Sequence, residues 1–221
     1  MWRSPRDPFV QAYERDVVDR HLHWRDAEFL ALDFEATGLD LRRDDVISFG
    51  AVPIANGRML VGGQAHSLVQ PTQPVPADAS KIHRIRNLDL AGAPTGLQAT
   101  AQLITLLTGR AVVAHAGWVE AAFLDRLLAL HHTRLVSPVI DTAALARALG
   151  LAPRIAAHEP HLETLAASLG LPVHDPHHAL GDALTTAQVF LVLVSRLERV
   201  HGPLSVDALQ QMSRLHALLR P

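Results

Sequence analysis

The chain has no cysteine among its 221 residues, which excludes disulfides and thiolate–zinc centres and suits a reducing compartment. Long apolar runs are also missing, since no uninterrupted stretch approaches the roughly 18 residues of a membrane span. The N-terminus, Met1-Trp2-Arg3-Ser4-Pro5-Arg6-Asp7-Pro8, is polar and proline-broken and lacks the apolar core of a secretory leader. The expected location is therefore cytoplasmic, with no membrane contact. Charge of one sign is not in excess either: 20 Lys and Arg against 22 Asp and Glu leave a formal −2. A polyanionic partner must then be held by a local basic patch or by metal. Repeats, low-complexity tracts and linkers are absent, so residues 1–221 are expected to form a single domain. With 48% hydrophobic and 19% charged residues, the composition is that of a globular protein with a substantial core.

What is present alternates between strand and helix patterns. Residues 9–24 place Val10, Tyr13, Val17, His21 and Trp24 three and four apart, which predicts an amphipathic helix. Strands are predicted over 29–35, 45–52 and 58–69, the last two joined by the hairpin signal Asn56-Gly57. Short connections between three successive strands imply an antiparallel meander. A proline-rich loop, 71–76, precedes a short segment at 77–86. From Gly96 a helix is expected with Leu97, Ala101, Ile104 and Leu107 on its apolar face. Strands at 110–115 and 138–140 then alternate with helices at 118–131, 142–149, 161–169 and 181–199. Ser205 caps a last helix whose stripe is Val206, Leu209, Met212, Leu215 and Leu219. A meander followed by β-α-β crossovers gives an α/β fold, a mixed sheet covered by helices.

Chemistry concentrates in four places. Asp33 and Glu35 interrupt an apolar strand at i, i+2 and so emerge on one face. Either a hard divalent cation sits between them, or they are the wet acids of an edge strand. In His177-His178-Ala179-Leu180-Gly181-Asp182, the acid opens a helix, where it serves equally as a ligand or as a partner of the helix dipole. Glu120, in the first turn after the strand ending at His115, has the same two readings. Asp141 closes another short strand. Strand-to-helix junctions at the carboxyl edge of such a sheet are where sites collect.

Asp33-x-Glu35-x-Thr37-Gly38-Leu39, Ile82-His83-x-Ile85, His115-(x)4-Glu120, Asp141-Thr142 and His177-x-Ala179-Leu180-x-Asp182-Ala183 occur in that order. This series resembles the DEDDh group of 3′–5′ exonucleases, which includes the proofreading epsilon subunit of bacterial DNA polymerase III, RNase T and oligoribonuclease. The likeness spans about residues 28–195. An exonuclease core at 28–199 would then carry an N-terminal helical extension at 9–24 and a C-terminal helix at 203–220. The resemblance implies an RNase H-like fold and a pair of Mg²⁺ or Mn²⁺ ions. Asp33 would bridge both ions, Glu35 and Asp182 would complete the first shell, Glu120 would serve the second ion, and His177 would be the general base. The implied reaction is phosphodiester hydrolysis at 3′ ends of single-stranded DNA or RNA, releasing nucleoside 5′-monophosphates. At one position the chain departs from the pattern, because Glu120 stands where the group carries Asp. The extra methylene bears on the second metal and on the choice between Mg²⁺ and Mn²⁺. Asp125, further along the helix, is a fallback ligand.

By the same resemblance Ala36, Thr37 and Leu39 line the pocket for the terminal nucleotide and His83 touches its sugar or base. Lys81, Arg84 and Arg86 form a small basic cluster suited to phosphates, or else a solvated loop. Trp118 and Phe123 either stack on bases or belong to the core. His158, His161, His174, His177 and His178 invite a zinc reading, against which stands the absence of cysteine and of an H-E-x-x-H pair. His178 is expected to face solvent, and His131-His132 to favour a helix end. Expected partners are single-stranded 3′ ends or short oligonucleotides, together with a polymerase or a second copy of the chain. A catalytically weakened, end-binding or polymerase-associated module is the alternative, and Glu120 is the feature that favours it.

Overall fold

The computed structural model describes residues 7–153 and 159–217. His158 and Leu219 lie outside them. Strands β1 (Phe29–Ala36), β2 (Val46–Ala55), β3 (Arg58–Met59), β4 (Ala65–Leu68), β5 (Ala111–Ala114) and β6 (Val139–Asp141) form one sheet. Its order is β3-β2-β1-β5-β6, with β4 also paired to β2. The β1, β2, β3 and β4 pairings are antiparallel, whereas β1–β5 and β5–β6 are parallel, as the meander-then-crossover order requires.

Alternation along β1 sorts its side chains between two layers. Leu30, Leu32 and Phe34 face helices α1 (Pro8–Arg15), α3 (Gly96–Leu107) and α4 (Trp118–Ala129). Phe29 and Ala31 face α5 (Thr142–Ala148), α6 (Leu162–Ser168), α7 (Ala179–His201) and α8 (Val206–Ala217). The remaining helix, α2 (Ala77–His83), lies beyond β4. At the centre of the second layer, Phe29 meets Phe190 of α7 with ring centroids 5.0 Å apart. Fully buried side chains of this size stabilise by about 1.5–3 kcal/mol each. Helix α7 is 23 residues long, and by length and composition alone it could cross a membrane. It is instead the core helix of this layer, packed across β1 and β2 with Phe190, Leu193 and Val194 sealed from solvent.

Three expected elements come out differently. The helix expected over 9–24 stops at Arg15. Beyond it Asp19 turns its carboxylate onto the His21 amide, and the Asp16 carbonyl accepts the Gly109 N–H. Such local bonds compete with helix, and the β-branched pair Val17-Val18 adds little to hold it. Val10, Tyr13 and Trp24 are buried as the spacing suggests, but Val17 and His21 are exposed and Val18 is buried in their stead. The strand expected over 58–69 breaks around Gly62-Gly63 into β3 and β4 with a 3₁₀ turn between them. In α3 the buried stripe is Ala99, Thr100, Leu103, Ile104 and Leu107, leaving Leu97 half exposed at a first turn fixed by a Thr95–Gln98 capping box. At the other end of the chain Ser205 does cap α8, its Oγ accepting the Ala208 N–H.

Candidate active site

The site lies at the carboxyl ends of β1 and β5 and is built from four directions. In β1, Asp33 pairs with Gly50 of β2 and Glu35 with Ser48, so both carboxylates project toward α7. A side chain at Gly50 is impossible there, because its Cβ would lie 2.2 Å from the Ala179 backbone. The bare strand lets the first turn of α7 rest on β2 and carries Asp182 over β1. Gly181 repeats the device, since its Cβ would meet the His174 carbonyl oxygen at 2.4 Å. The loop before α7 can therefore fold onto the helix, and Asp182 Oδ2 accepts the His177 N–H at 3.0 Å. One carboxylate oxygen each from Asp33, Glu35 and Asp182 falls within a 4.8 Å group.

Glu120 enters from the first turn of α4 and is buried. Burial, followed by the charges of Glu120, Asp182, Glu35 and Glu163, holds the Asp33 carboxyl well above the carboxylate range. Burial, then Asp182, pushes Glu35 up to about 7. Burial also pushes Glu120 up to about 8, its own backbone N–H opposing and Asp141 and Glu35 reinforcing the shift. Asp182 rises to about 6, chiefly through burial. Burial raises all four acids, and Asp33, Glu35 and Glu120 also feel the other carboxylates. Among the described residues the buried Glu120 Oε2 and Asp182 Oδ1 have no hydrogen-bond partner, a donor set suited to a cation. The donors are all carboxylate oxygens, the chemistry of a hard divalent ion.

His177 stands at the rim in a left-handed conformation (φ +61°), exposed, with Nε2 3.8 Å from Glu163 Oε1. Beside it a pocket of about 260 Å³ is lined by His83, Arg84, Ile85, Pro176 and His178. His83 is buried; its Nδ1 accepts the Ile85 N–H at 3.1 Å, so in the neutral ring Nε2 carries the proton. Burial lowers its pKa, and Nε2 has no partner.

Comparison with known proteins places this arrangement. A family model described as Exonuclease, of the RNase T type, matches residues 30–190. The chain belongs to the RNase T exonuclease family. That family is the 3′–5′ exonuclease grouping its motifs resemble. Among similar proteins, the DNA polymerase III subunit epsilon of Treponema pallidum is 30% identical over 175 residues, covering 79% of this chain and 80% of that one. The PolC-type DNA polymerase III of Thermotoga maritima is 31% identical over 194 residues, 86% of this chain but 13% of the polymerase. A DNA polymerase III subunit epsilon-like protein of Rhodobacter capsulatus is 31% identical, with 86% of this chain covering 27% of its length. The chain thus spans a minor part of several relatives. In fold it is similar to Exonuclease X in complex with 5′ overhanging duplex DNA, with TM-score 0.63, 22% identity, and coverage of 84% of this chain and 99% of that one. It is likewise similar to E. coli Exonuclease I in complex with a dT13 oligonucleotide, with TM-score 0.68, 16% identity, and coverage of 79% and 42%. The sheet is accordingly RNase H-like.

Within this RNase T-type site the remaining expected residues fall into place or out of it. Ala36 is partly buried, Leu39 is 81% exposed, and Thr37 is buried with Oγ1 donating to Asp44 Oδ1 and accepting the Asp45 N–H. Arg126 of α4 pins the same turn by donating to the Leu41 and Asp44 carbonyls, a contact across more than 80 positions that local spacing does not announce. Asp141 caps α5 by accepting the Ala143 N–H. Asp125 is turned to the Leu135 amide, away from a ligand role. Of the expected basic cluster, Lys81 pairs with Asp78 and Arg86 with Asp89, and Arg84 lines the pocket beside His83. Phe123 is core, whereas Trp118 is half exposed. Among the described residues the histidines do not gather into a zinc site. His174 meets Gln188, His131 meets the Leu97 carbonyl, and among the described residues the metal-competent group is made of carboxylates. His178 is not solvated as expected but stacks on His66 at 4.6 Å, and His66 in turn meets Ser48.

Glu163 of α6 was not singled out in the sequence. It faces His177 and adds to the field on Asp33, Asp182 and His115. An acid in the first turn of a short helix carries no local signal of that role. His115 is a clasp: Nε2 donates to the Pro160 carbonyl at 2.5 Å and Nδ1 meets Thr142 Oγ1 at 2.9 Å, holding the α6 approach against β5 and α5.

Proposed function

We propose that this chain is a metal-dependent 3′–5′ exonuclease that releases nucleoside 5′-monophosphates from the 3′ ends of single-stranded DNA, RNA or short oligonucleotides. One observation carries the reading: Asp33, Glu35 and Asp182 converge within 4.8 Å beside a buried, partnerless Glu120 oxygen. Asp33, Glu35, Asp182 and Glu120 would hold two Mg²⁺ or Mn²⁺ ions, which neutralise the phosphodiester and acidify a bound water. His177, exposed at the rim, takes the proton of the attacking water on its ring nitrogen, and its loop seat leaves it free to approach substrate. The neutral His83 ring offers its Nε2 proton to the terminal sugar or base. Leu39 supplies an apolar surface for that base, Ala36 and Thr37 shape the turn beneath it, and Arg84 faces a phosphate.

Residues 28–199 are the exonuclease core in this reading, with 9–24 and 203–220 as extensions. The relatives' names favour action beside a DNA polymerase, and the lack of cysteine suits the cytoplasm; a second copy of the chain is the other partner. Glu120 favours one further reading, a weakened module that binds 3′ ends without cutting. The test is a comparison of 3′- and 5′-labelled single-stranded DNA, RNA and dinucleotides with Mg²⁺ and with Mn²⁺. Stepwise loss from the 3′ end is expected with at least one ion. Binding without shortening under every condition would leave only the end-binding module.

A further inference from the structure

The two segments outside the family match are stitched to each other. Val206 N–H donates to the Leu22 carbonyl, Asp207 N–H to Arg20, and Trp24 N–H to Leu204. This brings Arg20 and Arg214, nearly 200 positions apart, to one pocket of about 330 Å³ between α4, β6 and α8. Both arginines are exposed, and among the described residues neither guanidinium has an acidic or hydrogen-bonding partner. In a chain of net charge −2, two unpaired cations drawn to one place stand out from the ion-paired Lys81 and Arg86. Trp118, 47% exposed, forms part of the same wall. Gln210 is 6% exposed, lines the pocket, and among the described residues has no partner for Oε1. A buried amide acceptor without a donor is unfavourable unless a ligand supplies one. The pocket's acid, Asp141, is buried and already caps α5. Gly117 and Trp118 open the helix whose first turn carries Glu120, and Asp141, whose charge acts on Glu120, lines the pocket.

We propose that this pocket is a second nucleic-acid subsite, holding the strand on the 5′ side of the terminal nucleotide by phosphates on Arg20 and Arg214 and a base on Trp118. Guanidinium groups match phosphate oxygens in geometry as well as charge, an indole face stacks any base, and Gln210 Oε1 accepts from a base amino group or a sugar hydroxyl. The inference rests on the exonuclease reading and gives the extensions a task, which is to favour longer strands over dinucleotides.

The test compares a thymidine decanucleotide with the thymidine dinucleotide, using wild type, the double variant Arg20→Ala/Arg214→Ala, its Lys/Lys counterpart, and Arg58→Ala on β3 as a control for losing an exposed arginine elsewhere. Each phosphate contact on a single strand contributes about 0.7 to the slope of log affinity against log salt. For the decanucleotide, the Ala/Ala variant should lose about 1.4 of that slope and its KM should rise about tenfold, while Lys/Lys and Arg58→Ala stay near wild type. Dinucleotide kinetics should not change. Equal responses of both substrates, or none, would overturn the subsite. Anisotropy of a labelled decanucleotide, run in parallel, reads the same slope if wild type cuts neither substrate. That outcome would sink the exonuclease reading while still judging this one, because unchanged binding by Ala/Ala overturns it.

Discussion

The two halves of the acidic site are held by different means. On one side, Asp33 and Glu35 are fixed by β1–β2 pairing, and Asp182 is pressed onto them because Gly50 and Gly181 let backbone touch backbone. Their oxygens gather within 4.8 Å. On the other side, Glu120 hangs from the first turn of a helix on a longer side chain and stands outside that group. Strand register and close backbone packing fix the backbones that carry Asp33, Glu35 and Asp182; Glu120 is tied by neither device, and its three torsions leave it more room for adjustment. The contrast assigns geometry to the first half and tolerance to the second. It also explains how Glu can stand where the resemblance leads one to expect Asp.

The contrast can be broken by substitution. Asp33→Asn should be the most severe, removing about 10³-fold or more of kcat with either ion, since on the proposed reading it deletes several kcal/mol of charge stabilisation at a ligand common to both ions. Initial rates on a 3′-labelled oligonucleotide check this. His177→Ala should cost about 10²–10³-fold in rate while Mn²⁺ binding, followed by calorimetry, stays intact. Glu120→Gln should cost about 10–100-fold and Glu120→Asp less, with the Asp variant doing better in Mn²⁺ than in Mg²⁺ because Mg²⁺ is the stricter about geometry. A Glu120→Gln loss equal to that of Asp33→Asn would erase the distinction between the halves.

The smallest effect is on stability and follows from the raised acids. Folded Glu120, Glu35 and Asp182 hold protons up to about 8, about 7 and about 6, whereas the unfolded chain releases them in the ordinary carboxylate range. The folded state therefore binds more protons, and stability falls as pH rises through that window. Without divalent ions, Tm should decline from about pH 5 to pH 8, and Asp33→Asn should flatten the decline. Melting curves across that range, with and without EDTA, measure it. A Tm that climbs toward pH 8 in EDTA would contradict the assignment.

Part of this was legible in the sequence for definite reasons. Alternation exposes Asp33 and Glu35 as neighbours, and the order of the His177–Asp182 element identifies their counterpart. The meander and crossovers follow from short turns and hydrophobic period. What the sequence hid depends on contacts between distant positions. Nothing local says that Gly50 must be bare so that α7 can touch β2, that Glu163 faces His177, or that Arg126 ties down the turn after β1. The helix expected over 9–24 shows the reverse error: its apolar spacing was real, but Val10 and Tyr13 belong to one layer and Val18 and Trp24 to the other, so the chain had to leave the helix to cross between them.

Mn²⁺ titration at pH 7 in buffers of different ionisation enthalpy tests most directly whether Asp33, Glu35, Asp182 and Glu120 form a divalent-cation site. With Glu120 largely protonated and Glu35 about half so, binding should release about one proton or more per chain and should vanish in Asp33→Asn. Absence of Mn²⁺ binding at millimolar concentrations, or binding without proton release that survives Asp33→Asn, would contradict it.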